Sequence, residues 1–373
     1  MSFDVAKKLR DTAERRKRKR PLIRAFFNKL LHPTHQMMVY TPANYANPYQ
    51  TLLYSGFKKT LVTATTADKF LRYQAFGLTN LLHIHWDEDF LRKNDPPRAN
   101  RARAAVEEFK KKGGGVLWTV HNEMPHEIAD DEEKQFFLKN RAFLCQASDL
   151  IHVHSDYAKQ YLLKTFDVKE DKIVVIPHPS YVEWYCTDYK PRKPSVKKVF
   201  LLFGSIRKYK GFDLIIEAFS SVNNPDKIDF FHIAGNGADS INVDEINGIK
   251  VKRTSGYIDD KDVSSFFDSA DFAIFGFSSI LTSGSLMLAL TFGLPPIAPF
   301  HPSIKESLPP ELHDLLYEPH NPVDFARVID HATSLSPEAY ATKSRACRDF
   351  ALANSPSKIS LSLEEAILKL VSK

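Results

Sequence analysis

Two cations stand close together in one loop, Gly204-Ser205-Ile206-Arg207-Lys208-Tyr209-Lys210-Gly211. Arg207 offers a planar fork to phosphate oxygens and Lys210 a point charge. Together they suit a diphosphate whose leaving charge must be neutralised. A second loop, Ser278-Ser279-Ile280-Leu281-Thr282-Ser283-Gly284-Ser285, opens an apolar helical run. Hydroxyls and unpaired backbone N–H groups at a helix start form an anion site, and the same residues also cap the helix. The turns Gly235-Asn236-Gly237 and Gly256-Tyr257-Ile258 lie in the same half of the chain. The other half gathers titratable groups: His83, His85, Trp86 and Asp87; His121, Asn122 and Glu123, with His126 and Glu127; His152, His154 and Asp156; and His178. Each group closes a short apolar run. His-x-His on a strand puts both rings on one face, yet no third ligand follows at a defined spacing, so no metal site is expected.

These loops need strands to position them. Apolar runs at Gln36–Tyr40, Thr60–Ala64, Leu81–His85, Val116–Val120, Leu150–His154 and Ile173–Ile176 read as parallel strands covered on both faces. A second series covers Lys198–Phe203, Asp229–Ala234, Ile249–Lys252, Phe272–Phe275 and Pro296–Ala298. Helical patterns at Arg101–Lys112, Asp213–Phe219, Asp260–Ser269, Gly284–Phe292, Pro322–Thr333, Pro337–Ala353 and Leu361–Val371 alternate with the strands or close the chain. The stretch 180–197 breaks the rhythm and reads as a linker. The expected order is a 1–32 segment, a 33–179 domain, that linker, a 198–353 domain and a 354–373 helix. Both domains are α/β and doubly wound, and such folds bind ligands beyond the carboxyl ends of their strands.

The chain has 373 residues and a net charge of +6. Residues 1–32 carry eleven Lys/Arg against three Asp/Glu, and the other 341 carry 40 against 42. The near-neutral body argues against nucleic-acid binding. Arg15–Arg20 reads RRKRKR, followed by Pro21 and by Leu22, Ile23, Phe26, Phe27, Leu30 and Leu31 at helical spacing up to Pro33. An apolar stripe beside dense positive charge suits an anionic membrane surface, with residues 7–31 as the contact; docking on the protein's own first domain is the other reading. No run is long enough to span a bilayer, and no apolar secretory region opens the chain. Cys145, Cys186 and Cys347 form no CxxC pair, which fits a reducing cytoplasm with the protein peripheral on the membrane's inner face. The absence of GxxxxGK[ST] and of an opening GxGxxG disfavours P-loop and dinucleotide chemistry.

The motifs Gly204–Gly211, Gly256–Ile258, Ala270-Asp271, Leu281–Pro299 and Leu315–Pro319 with Asn321-Pro322, in this order, resemble the C-terminal domain of GT-B glycosyltransferases of family 4. His83–Trp86, Thr119–Asn122 with Pro125-His126-Glu127, and Ile176–His178 are similar to a bacterial branch of that group, of the exopolysaccharide and glycan-assembly type. The resemblance implies two Rossmann-like domains facing a cleft, with the last helix crossing back onto the first domain. It implies that Arg207, Lys210, Ser283, Gly284 and Ser285 hold the donor diphosphate. Gly235, Asn236, Tyr257 and Ile258 would line the nucleobase and ribose region, and His121 would lie beside the reacting sugar. The donor would be a UDP- or GDP-linked sugar acting as co-substrate, without metal or cofactor. Many members carry two glutamates eight positions apart around the second phosphate loop; Ile280 and Leu288 occupy those positions here.

Sugar transfer to a glycan or lipid-linked saccharide is the expected reaction. An inverting course needs a base, and His121, Glu123 and Asp87 are the candidates. A retaining course lets the leaving phosphate take the proton. The alternatives are a sugar-nucleotide epimerase or hydrolase on the same fold, and a non-catalytic nucleotide-sugar-binding scaffold.

Overall fold

Runs such as Leu81–Ile84 and Leu150–Val153 bury every side chain, which only a sheet covered on both faces allows. The computed structural model describes residues 26–27, 29–44, 47–66, 69–91, 96–125, 128, 130–185, 193–207, 210–277 and 280–372. Two compact units emerge: Met1–Pro179 with Pro356–Lys373, and Ser180–Ser355.

The first unit carries β1 (Gln36–Thr41), β2 (Thr60–Ala64), β3 (Leu81–Ile84), β4 (Gly115–Thr119), β5 (Leu150–Val153) and β6 (Ile173–Val175). They form one parallel sheet in the order β2-β1-β3-β4-β5-β6. The order reverses between β1 and β3, so the loops leaving those two strands diverge to opposite sides and open a crevice.

The second unit carries β7 (Lys198–Phe203), β8 (Ile228–Gly235), β9 (Glu245–Ile246), β10 (Ile249–Ser255), β11 (Phe272–Ile274), β12 (Pro296–Pro299) and β13 (Leu316–Tyr317). Their order is β13-β12-β11-β7-β8-β10-β9, parallel except for β9. Here the reversal falls between β7 and β11. The loops that leave those strands are the two phosphate-type loops of the sequence. The β9–β10 hairpin turns on Asn247 (φ 50°) and Gly248 (φ 79°), the positive pair that a two-residue hairpin loop demands.

The start of the expected linker is not free chain. Tyr181 N–H donates to Thr291 Oγ1 (3.0 Å), and Trp184 Nε1–H and Tyr185 O–H donate to the Asp260 carboxylate (2.9 and 3.1 Å). Ser180–Tyr185 therefore pack within the second unit, and 186–192, with Cys186, lie outside the described residues. Cys145 and Cys347 are buried free thiols.

The last helix, Pro356–Val371, belongs to the first unit. Its Ile359, Leu363 and Ile367 join Met38, Leu81 and Leu117 in one core. Its Glu364, 4% exposed, accepts the backbone N–H groups of Lys58, Lys59 and Thr60 at 2.8, 2.7 and 2.7 Å. Those donors lead into β2, so one carboxylate ties the chain's end to the sheet's edge strand.

Glu364→Ala leaves three backbone donors without their acceptor. The expected loss is roughly 2–4 kcal/mol, counted as one or two unmet buried groups with partial solvent relief. Limited proteolysis should then cut within 356–373 well before it cuts the wild-type chain; equal resistance would contradict this anchoring role.

Candidate functional site

In the second unit β7 is followed by Gly204, whose φ of 99° turns the chain off the sheet. A Cβ there would lie 3.1 Å from Lys210 Nζ and 3.6 Å from Ser285 Oγ. The bare glycine backbone, the ammonium and the hydroxyl thus meet at one point. The two phosphate-type loops of the sequence are neighbours in space. Lys210 is 3% exposed, and its Nζ donates to the Phe203 carbonyl at 2.9 Å. Among the described residues no carboxylate pairs with it. Burial, and then Arg207 nearby, push its pKa down to about 8. A buried ammonium without a counter-ion is costly, and an arriving anion relieves the cost. Arg207 is exposed at the loop's outer edge.

Ser283 caps the helix Gly284–Thr291 by accepting the Leu286 N–H at 3.1 Å. The N–H groups of Gly284 and Ser285, at its first two positions, fall outside the helix's own hydrogen bonding. Capping occupies the Ser283 oxygen as acceptor and leaves its O–H to donate. Ser278 and Ser279 lie outside the described residues. Ile280 and Leu288 are buried at 6% and 8% exposure, so both serve the apolar interior behind the loop.

A cavity of about 160 Å³ is lined by Phe203, Gly204, Gly235, Asn236, Tyr257 and Ile258 among others. All four residues expected around the nucleobase and ribose lie on it. Gly235, with φ 137°, is required because a Cβ there would collide with the Gly204 carbonyl. Ile206 N–H donates to the Asn236 carbonyl at 2.7 Å, so the phosphate-type loop rests on this turn. Tyr257 is 66% exposed.

In the first unit the histidines at the strand ends form one buried cluster. The His83 and His85 ring centroids are 4.0 Å apart, and His85 Nδ1 lies 3.2 Å from His121 Nε2. Trp86 stacks on His121 at 4.7 Å and 14°. Its φ of 37° is uncommon for so bulky a residue, and the packing around it sustains that conformation. Burial first, and then neighbouring imidazoles, hold His83, His85, His121 and His154 well below the ordinary histidine value. Burial brings His152 and His178 down to about 4. The cluster is neutral at pH 7. Most of its ring nitrogens bond to protein groups, and among the described residues no set of three His, Cys, Asp or Glu could hold a metal ion.

Tyr49 and Tyr54 give the cluster its hydroxyls and carry no strand-end signal. Tyr49 opens and Tyr54 caps the short helix Tyr49–Leu53, which brings both hydroxyls to the histidines. Their spacing beside Pro48 is the one local hint.

Asp87, one of the three base candidates, faces a guanidinium. It is 2% exposed, and both of its oxygens accept from Arg141, Oδ2 from Nε at 2.8 Å and Oδ1 from Nη2 at 3.3 Å. Burial pulls the Arg141 guanidinium down, but the Asp87 carboxylate outweighs it and leaves it raised. This buried pair is structural: both oxygens are committed to the guanidinium, and parting them would strand a buried charge. Arg141 also donates to the Glu123 carbonyl, which fixes the loop after β4. Glu123 is half-buried and accepts the Tyr157 O–H at 2.8 Å. His126 and Glu127 lie outside the described residues.

Residues 197–334 match the family model described as Glycosyl transferases group 1, and residues 30–180 match Glycosyltransferase Family 4. Among curated proteins, the chain is similar to a GDP-mannose:glycolipid 4-beta-D-mannosyltransferase of Xanthomonas campestris pv. campestris. Identity is 24% over 270 residues, covering 69% of this chain and 71% of that one. Among solved structures, Anabaena HepE in complex with UDP-glucose superposes with a TM-score of 0.67 at 12% identity, over 90% of this chain and 100% of that one. A glycosyltransferase from Rickettsia africae also gives 0.67, at 15% identity over 90% and 99%. At such identities these structural likenesses speak for the fold.

The neutral cluster has a consequence for stability. An unfolded chain protonates its histidines from about pH 6.5 downward, whereas the folded His152 and His178 resist protonation to about 4. Their contribution is fully present above pH 6.5 and is lost as the pH falls toward 4. The expected melting temperature is level from pH 7 to 8 and declines steadily between about pH 6.5 and 4.5, where few carboxylates titrate. A level profile across that acidic window would contradict the neutral cluster.

Proposed function

We propose, from the premise that this chain belongs to the GT-B glycosyltransferases of the family 4 type, that it moves a hexose from a nucleoside-diphosphate donor to a lipid-linked saccharide. One observation carries the donor assignment: the buried Lys210 ammonium, without a carboxylate partner among the described residues, meets Gly204 and Ser285 at the switch point of the second sheet. Lys210, Arg207 and the donors at Ser283, Gly284 and Ser285 would take the diphosphate. Charge builds on those oxygens as the glycosidic bond breaks, and fixed donors stabilise it without reorganising. The adjoining cavity would take the nucleoside, with Asn236, Tyr257 and Ile258 against it. The curated relative's name specifies GDP-mannose and a glycolipid, and the Anabaena structure holds UDP-glucose. A GDP- or UDP-linked hexose and a lipid-linked acceptor are therefore the substrates to test first. With Asp87 committed to Arg141, His121 and Glu123 remain as groups that would meet a sugar hydroxyl.

Incubation with UDP- and GDP-hexoses, with and without a lipid-linked saccharide, should yield an elongated acceptor with one donor. Arg207→Ala, at an exposed position, should keep the wild-type melting temperature and lower kcat/KM about 100-fold or more. Lys210→Met, which keeps the packing, should do the same. Near-normal turnover in both variants, or donor consumption that ignores the acceptor, would overturn the reading.

We further propose that the N-terminal segment seats the protein on an anionic membrane. Phe26, Phe27, Leu30 and Leu31 are 56%, 55%, 67% and 69% exposed, which opposes docking on the protein's own first domain. The basic run 15–20 precedes them and lies outside the described residues. Among the described residues no helix is long and apolar enough to cross a membrane. The full chain should float with vesicles containing anionic lipid and lose that flotation in high salt or when 1–32 is deleted. Flotation unchanged by the deletion would refute the proposal.

A further inference from the structure

The first unit's polar interior is strung from a single atom. The Ile176 carbonyl oxygen lies 2.8 Å from His152 Nε2 and 3.1 Å from His154 Nδ1. A carbonyl only accepts, so each of those nitrogens carries its ring's proton. His83, His85 and His152 are fully buried, His121 is 6% exposed, and no carboxylate bonds to any of them among the described residues. Burial without a counter-charge keeps each ring neutral, with one proton to place.

The remaining protons then follow in order. His152 Nδ1 must accept, so Thr119 Oγ1 donates to it at 3.0 Å. Thr119 Oγ1 accepts from His83 Nε2–H at 2.7 Å. His83 Nδ1 accepts from Tyr54 O–H at 2.9 Å. The Tyr54 oxygen accepts from His85 Nε2–H at 2.5 Å. His85 Nδ1 accepts from His121 Nε2–H at 3.2 Å. Reversing any one link would leave His152 Nε2 without the proton that the Ile176 carbonyl requires. A shorter branch runs from the same carbonyl through His154, whose Nε2 accepts from Tyr49 O–H at 3.1 Å. The Tyr49 ring then packs edge-on 5.1 Å from His121, which Trp86 stacks against.

We propose that this one-way chain locks His121 as its Nε2–H tautomer and so presents Nδ1 as a lone-pair acceptor for a substrate hydroxyl. Nδ1 is the one nitrogen of the series with no partner among the described residues. Thr119, His83 and Tyr54 touch no substrate in this scheme; they are positioning residues that act through His85, and Tyr49 and Trp86 hold the plane of the ring. The inference rests on the reading of His121 as a group that meets a sugar hydroxyl. A tautomer fixed in this way has a stated use: a hydroxyl that gives its proton toward Nδ1 gains nucleophilicity, whereas the other tautomer would offer it a donor.

The test uses full-length protein labelled with ¹⁵N in histidine. Long-range ¹H–¹⁵N correlation reads which ring nitrogen is protonated, and His121→Gln identifies the signal by its loss. The wild type should show His121 protonated on Nε2 and bare on Nδ1. Thr119→Val keeps the shape but cannot pass the chain on; Thr119→Ser can. In Thr119→Val the His121 signal should split between tautomers, and kcat should fall about ten-fold or more with the donor KM little changed. Thr119→Ser should restore both readings. Tyr54→Phe, which cuts the chain at another link, serves if Thr119→Val fails to fold. His121 protonated on Nδ1 in the wild type, or an unchanged tautomer and kcat in the severed variants, would overturn the proposal. The spectrum needs no substrate. A correct tautomer in a protein that transfers no sugar would instead defeat the functional reading and leave the chain of hydrogen bonds standing.

Discussion

The first unit is organised by the cost of burying charge. Four imidazoles and two hydroxyls occupy a water-poor space at the edge of its sheet, from His152 to His121, and no carboxylate among the described residues neutralises them. A cation there would cost far more than the hydrogen bonds return, so the rings stay neutral and every proton has one place to go. The Ile176 carbonyl then decides the direction of the whole chain, because it is the only member that cannot donate. The same pressure explains Asp87 and Arg141, which share one buried ion pair instead of reaching for a ligand. What the sequence displays as a row of catalytic residue types is joined, from His152 to His121, by internal hydrogen bonds.

The second unit solves the opposite problem. There a buried cation is kept without a counter-charge among the described residues, at the place where the strand order reverses between β7 and β11. Such a site is unstable in the electrostatic sense and stable in the packing sense: Lys210 is held by the Phe203 carbonyl and by the tight approach of Gly204 to Gly235. An anion placed beside that desolvated ammonium would relieve the cost of its burial. Backbone and side chain cooperate here, since a larger residue at Gly204 would fill the space where Lys210 Nζ and Ser285 Oγ converge.

Much of this architecture is legible in the amino-acid pattern alone. The run Lys198–Phe203 appears with the bounds the pattern predicts, because a strand covered on both faces cannot alternate, and the half-buried edge strand Thr60–Ala64 keeps its predicted bounds as well. The pairing of loop 204–211 with 282–285 is legible because both follow strands and both carry phosphate-type groups. Three features are not. The two-residue strands β9 and β13 are too short for any period to register, although Asn247-Gly248 marks the hairpin between β9 and β10. The linker's first residues look irregular because they bond to distant partners, Thr291 and Asp260, which no local window contains. The role of Asp87 depends on Arg141, which lies fifty-four positions away on a helix with no motif of its own.

Ile280 and Leu288 sharpen what the second phosphate loop can do. Both side chains are buried, so neither position can present a polar group to a sugar without unpacking the helix Gly284–Thr291. A carboxylate at either place would need a partner in an apolar surround, and none stands ready among the described residues. The loop thus joins half-buried hydroxyls and helix-start N–H groups to an apolar layer behind them.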